Sequence, residues 1–163
     1  MRKLFAIACI AWGTSAFALE GLYLGAQVGQ VGLTGISGRS NAIGFGVDVG
    51  VKTVGLLDLV FHLNYSNHSG GGGLRILAPQ LSALYHVTQT GELDISVEGG
   101  PGFYSFSSTA TETKFGIQLG INADVILEEH LRAGLGWRYH NPFDATLGGS
   151  FYTLMMRVGW LFE

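Results

Sequence analysis

From Leu19 to the end of the chain, apolar side chains return at every second position, not every third or fourth. Period two is the mark of strands with two unlike faces. The first segment sets Leu22, Leu24, Ala26 and Val28 against Tyr23, Gly25, Gln27 and Gly29, and the second sets Ile43 to Val51 against Gly44, Gly46, Asp48, Gly50 and Lys52. Six more segments follow the same scheme: Leu57–Ser66, Leu77–Val87, Leu93–Tyr104, Lys114–Val125, Leu131–His140 and Tyr152–Phe162. Every charge inside a segment falls on the second face, which is otherwise rich in glycine. No stretch after Leu19 is apolar for long enough to be a membrane helix.

Segments of about ten residues suit tilted strands that cross a hydrocarbon core. A strand edge in lipid would leave its N–H and C=O groups without partners, so such a sheet must close. The pattern therefore predicts an all-β fold, a closed antiparallel up-and-down transmembrane β-barrel of eight strands over residues 19–163. Thr53-Val54-Gly55, Thr88 to Glu92 and Glu128-Glu129-His130 read as short turns; Gln30 to Asn41, Asn67 to Ile76, Ser105 to Thr113 and Asn141 to Ser150 read as longer loops. Short turns belong to the periplasmic rim and long loops to the external one. A soluble barrel that wraps its apolar face around a ligand is the alternative. Leu, Ile, Phe, Trp and Tyr are too bulky for an eight-stranded lumen, and a glycine-rich face with few charges makes a poor water-facing surface.

Composition agrees. Charged residues make up 13%, glycines number 26, and mean hydropathy is +0.32. A soluble domain carries about twice that charged fraction. Arg2 and Lys3, the apolar run Leu4–Trp12 and the small-x-small site Ala16-Phe17-Ala18 predict a secretory signal at 1–18, cleaved before Leu19. Removing it leaves seven basic and twelve acidic residues and no basic patch, so nucleic acid is not an expected partner. The only cysteine, Cys9, leaves with the signal, and neither a disulfide nor a thiolate metal site is expected.

Aromatic residues gather near segment ends, as girdles at the two headgroup levels would. Tyr65, Phe103, Phe115, Trp137, Tyr139 and Tyr152 are expected toward the loop rim, and Tyr85, Trp160 and Phe162 toward the turn rim. Inward charges need partners in a water-poor lumen. Glu98, Arg138 and Arg157, joined by Asp48, His62 and Gln118, are expected to form one lumenal charge cluster near mid-height. Tyr23, Tyr104, Phe106 and Phe151 add inward bulk. The resulting expectation is a filled, salt-bridged interior with a structural role or one played through external loops. A narrow, porin-like conduit for small or hydrophobic solutes is the second reading.

Gly21-Leu22-Tyr23-Leu24-Gly25-Ala26, Glu98-Gly99-Gly100-Pro101-Gly102-Phe103-Tyr104 and the closing Val158-Gly159-Trp160-Leu161-Phe162 resemble the first, fifth and last strands of the small outer-membrane barrels. The chain as a whole is similar to that superfamily, including the transmembrane domain of outer-membrane protein A. The resemblance implies a bacterial outer-membrane location in a Gram-negative cell envelope. It also implies contact with the bilayer and lipopolysaccharide and recognition by the barrel-insertion machinery; a monomer without cofactor is expected, and no periplasmic domain is expected to follow the barrel. Glu163 departs from the usual aromatic end.

Some barrels of this size modify lipids, and Arg138-Tyr139-His140-Asn141 looks a little like the Arg…His-x-Ser stretch of the lipid A deacylases. Pro142 stands where their serine nucleophile would be, and Ser150 and Thr153 lack the spacing. A histidine base acts only on a hydroxyl within reach. No catalytic residue is therefore expected, and His140 reads as a rim residue. His68 lies in the expected external loop with no second metal ligand at a suitable spacing, and Gly70–Gly73 lacks the lysine, serine and helix of a phosphate loop. His62 and His86 fall at different heights and do not form a ligand pair.

Overall fold

The computed structural model describes residues 19–34, 38–53 and 55–163; the expected signal at 1–18 and Val54 in the first turn lie outside them. The strands are β1 (Leu19–Leu33), β2 (Ala42–Thr53), β3 (Leu57–His68), β4 (Leu74–Thr90), β5 (Leu93–Ser107), β6 (Thr111–Ile126), β7 (Leu131–Pro142) and β8 (Phe151–Phe162). Each pairs antiparallel with its neighbour in sequence, and β1 pairs with β8 to close an eight-stranded barrel.

Side chains alternate across the wall as the period-two pattern requires. Leu119 is 60% exposed and Phe103 56%, whereas Asp48, His62 and Arg138 are wholly buried. A water-soluble barrel would show the reverse, so the outer wall is a lipid-facing surface. The lumen is narrow enough that several inward positions must lack a side chain. The ring of Tyr23 lies across the floor made by Gly25 and Gly159, which are paired between β1 and β8, and a Cβ on either glycine would overlap it.

The strands outrun the expected ones at the long-loop end. β1 continues to Leu33, β4 starts at Leu74 and β5 runs to Ser107, so the connections after β3 and β5 shrink to 69–73 and 108–110. The cause is the apolar alternation itself, which persists beyond the expected strand ends. Val31, Leu74, Ile76, Ala78, Tyr104, Phe106, Phe151 and Met155 pack together inside the barrel mouth as a hydrophobic core. Burying them favours strand over loop, because the backbone groups can then pair across the ladder. His68 accordingly ends β3 and is buried, not set in a solvated loop; its ring contacts the Ser40 carbonyl at 2.9 Å and Ser66 Oγ at 3.1 Å.

Candidate functional site

The chemistry of this chain is concentrated in its lumen, which is layered. In the middle layer, five inward side chains from β1, β2, β3, β5 and β7 close a ring. Arg138 Nε donates to Glu98 Oε1, and Arg138 Nη1 donates to Gln27 Oε1 at 2.6 Å. Gln27 Nε2 in turn donates to Asp48 Oδ1 at 2.9 Å and to Asn64 Oδ1 at 2.8 Å. His62 completes the circuit, its Nδ1 2.6 Å from Asp48 Oδ1 and its Nε2 3.3 Å from Glu98 Oε2. The side chains of Arg138, Glu98, His62 and Asp48 are all fully shielded from solvent.

Four of the expected cluster residues therefore meet, and two do not. Arg157 lies nearer the turn rim, with Nε 3.4 Å from Asp124 Oδ1 and Nη2 3.4 Å from the Tyr23 hydroxyl. Gln118 donates to Ser82 and is not part of the ring. Strand tilt is the reason: residues at matching positions along neighbouring strands sit at different heights once the sheet is staggered into a barrel. Gln27, which closes the ring, carries no charge and so gave no signal beyond its place on the inward face.

A second assembly lies at the turn rim. His86 Nδ1 is 2.8 Å from Asp94 Oδ1 and its Nε2 is 2.9 Å from Asp58 Oδ2. Arg132 Nη1 donates to Asp94 Oδ2 at 2.9 Å, while the Thr53 amide donates to Asp58 Oδ1 at 3.0 Å. His62 and His86 thus serve separate layers, each ring set between two carboxylates.

His140 is not at the rim. It is fully buried above the charged ring and stacks on Phe151 with ring centroids 4.3 Å apart. Gln80 Nε2 donates to its Nδ1 at 2.9 Å, so its Nε2–H faces Thr153 Oγ1 at 3.3 Å. Ser150 donates instead to Asn141 Oδ1 at 3.0 Å. The inward direction follows from register, since His140 pairs with Phe151 and both point into the barrel. Above it Tyr104, Phe106 and Phe151 meet edge to face at centroid distances of 5.8 to 6.4 Å and fill the barrel mouth.

On the outer wall, Phe103, Phe115 and Phe143 form an edge-to-face row at 5.5 and 6.0 Å, and Tyr139 pairs with Tyr152. Phe45 pairs with Tyr65 at the same end, while Trp137 stands one outward position deeper than Tyr139. Tyr85, Trp160 and Phe162 face outward toward the turn rim. No group of three or more metal-ligating side chains converges among the described residues.

No protein-family model and no curated protein matches this sequence. Solved structures do. Neisserial surface protein A superposes with a TM-score of 0.73 at 10% identity, over 86% of this chain and 96% of that one. The outer-membrane protein OprG of Pseudomonas aeruginosa gives 0.63 at 13% identity, over 91% and 99%. The outer-membrane enzyme PagL gives 0.56 at 12% identity, over 85% and 98%. The fold thus hosts enzymes and non-enzymes alike. With its closed antiparallel wall and its apolar outer belt, the chain has the fold of these small eight-stranded outer-membrane β-barrels.

Proposed function

We propose that this protein is a sealed structural barrel, which acts through membrane integrity and through the β-hairpins it presents outside the cell. The observation that carries this reading is closure at two levels. The Gln27–Asp48–His62–Glu98–Arg138 ring spans the lumen, and the apolar cluster around Phe106 and Phe151 fills the mouth above it. A conduit would have to break both. Planar-bilayer recording tests the proposal: baseline current with at most brief, rare openings is expected, and a large steady conductance would overturn it.

No observation favours catalysis. His140 is shut inside the wall, its Nε2 faces a threonine hydroxyl, and its ring is stacked against Phe151. Purified protein is therefore expected to release no fatty acid from lipopolysaccharide; release that His140→Ala abolished would reverse this assignment.

The same reading includes residues 1–18 as a cleaved signal, so the mass of the mature protein should match a start at Leu19. It also takes the chain as a monomer bounded by lipid and lipopolysaccharide, with Val158–Phe162 as the segment read by the insertion machinery.

A further inference from the structure

Because β4 begins at Leu74, Arg75 belongs to the barrel wall and not to a loop. It is exposed on the outward face, one outward position beyond Leu77. Register sets it in a row with Asn67 of β3 and Ser107 of β5. The next outward row toward the belt holds Tyr65, Leu77 and Ser105, two residues or about 7 Å back along the strands. The wall turns polar at this level. Thr111 and Thr113 continue the change on β6 beyond Phe115, and the Ser107 and Thr111 hydroxyls stand 3.1 Å apart.

Arg75 is also the uncommitted cation of the described residues. Lys52, Lys114, Arg132, Arg138 and Arg157 each pair with a carboxylate, and Arg39 donates to the Leu147 carbonyl at 3.0 Å. Among the described residues Arg75 makes neither an ion pair nor a side-chain hydrogen bond. It borders a groove with about 480 Å³ of empty space counted out to its mouth, lined also by Asn67, Gly72, Gly73, Ser107 and Ser108. No carboxylate lines this groove, and each of its polar side chains can donate a hydrogen bond.

A guanidinium fork matches the oxygens of a phosphate group. Aromatic belts mark the headgroup level of a membrane, and lipid phosphates lie there. A free anion would compete poorly with water for an exposed arginine, whereas a phosphate anchored beside the wall by its own acyl chains meets it at high effective concentration. We propose that this groove binds a phosphate group of the lipid A of lipopolysaccharide, with Arg75 as principal ligand and Asn67 and Ser107 as donors beside it. The inference names a site within the lipopolysaccharide contact of the proposed function, and rests on that reading of the wall and of the long-loop rim.

The test follows the Arg75 Nε–H and Asn67 side-chain amide signals by NMR, with the mature chain in phosphatidylcholine nanodiscs. Diphosphoryl lipid A is titrated into the discs at constant ionic strength. Dephosphorylated lipid A, phosphatidylglycerol and free sodium phosphate are titrated in parallel. Diphosphoryl lipid A should give a saturable shift at both groups, and the dephosphorylated lipid none. Arg75→Gln, read at Asn67, should weaken binding about tenfold or more, as for loss of a charge-assisted contact. Arg75→Lys keeps the charge but loses the fork, and should weaken binding about threefold. Lys114→Gln removes a charge from the same rim outside the groove, and should change affinity by less than about twofold. Arg75 supports no internal contact, so its variants should still insert.

Equal shifts with the two forms of lipid A would overturn the proposal. So would equal weakening in Lys114→Gln and Arg75→Gln, or binding of free phosphate or phosphatidylglycerol as tight as that of lipid A. Magnetisation transfer from acyl chains to the Leu77 methyls reads the wall separately. Its presence with a silent Arg75 would sink the site alone, and its absence would sink the lipid-facing wall as well. A membrane-impermeant maleimide should label Thr109→Cys on intact cells; no labelling would place this rim on the periplasmic side and end the assignment to lipopolysaccharide.

Discussion

Arg138 reaches across the barrel from β7 to Glu98 on β5 and Gln27 on β1, and no water-exposed surface is left on its side chain. A buried ion pair of this kind contributes little net stability, but removing one partner strands a charge. Arg138→Met alone should therefore lower unfolding stability by about 3–5 kcal/mol. The double variant Glu98→Gln/Arg138→Met should regain most of that loss, as read from urea unfolding in micelles by gel mobility. At the external rim, Glu112 accepts hydrogen bonds from the Leu147 and Thr146 amides at 2.9 Å and the Thr146 hydroxyl at 3.0 Å, and pairs with Lys114 at 3.2 Å. The Leu147 amide first, then these other partners, hold its carboxyl down at about 2, from an ordinary 4.5. A depressed acid stabilises above its unfolded value and loses that contribution as pH falls through the folded one. The 143–150 strap, whose Leu147 packs on the apolar core, should stay docked at neutral pH and loosen between pH 4.5 and about 2. Amide shifts of Thr146 and Leu147 would follow this titration, and Glu112→Gln should free the strap at pH 7.

Among the elements, the pairing of β4 with β5 differs from the rest. The register holds from Leu77↔Ser105 through Gln80↔Gly102 to Ala83↔Gly99, yet Ala78, Pro79, Leu81 and Ser82 make no ladder pair with β5. Pro79 pairs normally with Leu63 of β3, and Pro101 with Ile117 of β6, so the gap belongs to one seam. Proline has no N–H to donate, and sheets usually confine it to edges, which a closed barrel does not have. Backbone amides along this seam should exchange with deuterium about tenfold faster than those between β5 and β6, given about 1 kcal/mol per lost bond. Pro101→Ala should narrow the difference; equal exchange in both seams would refute it. The two prolines are plain in the sequence. That both turn their missing donors toward the same seam follows only from the register.

At the scale of the whole molecule, the outer belt is solvated by lipid and the lumen by its own side chains. Leu119, 60% exposed near the middle of β6, faces the hydrocarbon at depth. Leu119→Arg should cost about 2–4 kcal/mol in reversible folding into lipid vesicles, the range for a cation at the bilayer midplane. The same change at Thr113, outside the belt, should cost little, and equal costs at both positions would contradict the assignment of the wall. The interior is less uniform than a simple polar filling. Leu74, Ile76 and Met155 bury apolar surface in the mouth, while Asp58, His86, Asp94 and Arg132 share charges at the opposite end. Leu74 and Ile76 follow the glycine run and read as loop, although their spacing continues the alternation of β4 and was the available signal.

Strand number, the two faces and the sign of each face were determined by the sequence alone, because a side-chain period of two is local and a one-residue slip would put charges into lipid. That local rule also sent Glu98, Arg138, Asp48 and His62 inward. Their height was decided only by tertiary structure, since the stagger that closes the barrel sets which inward residues meet. The stagger joined Gln27 to the four, left Arg157 beside Asp124 and Tyr23, and carried His140 under the apolar cap. Alternation encodes in or out at each position; the meeting of distant strands depends on closure, a property of the whole sheet.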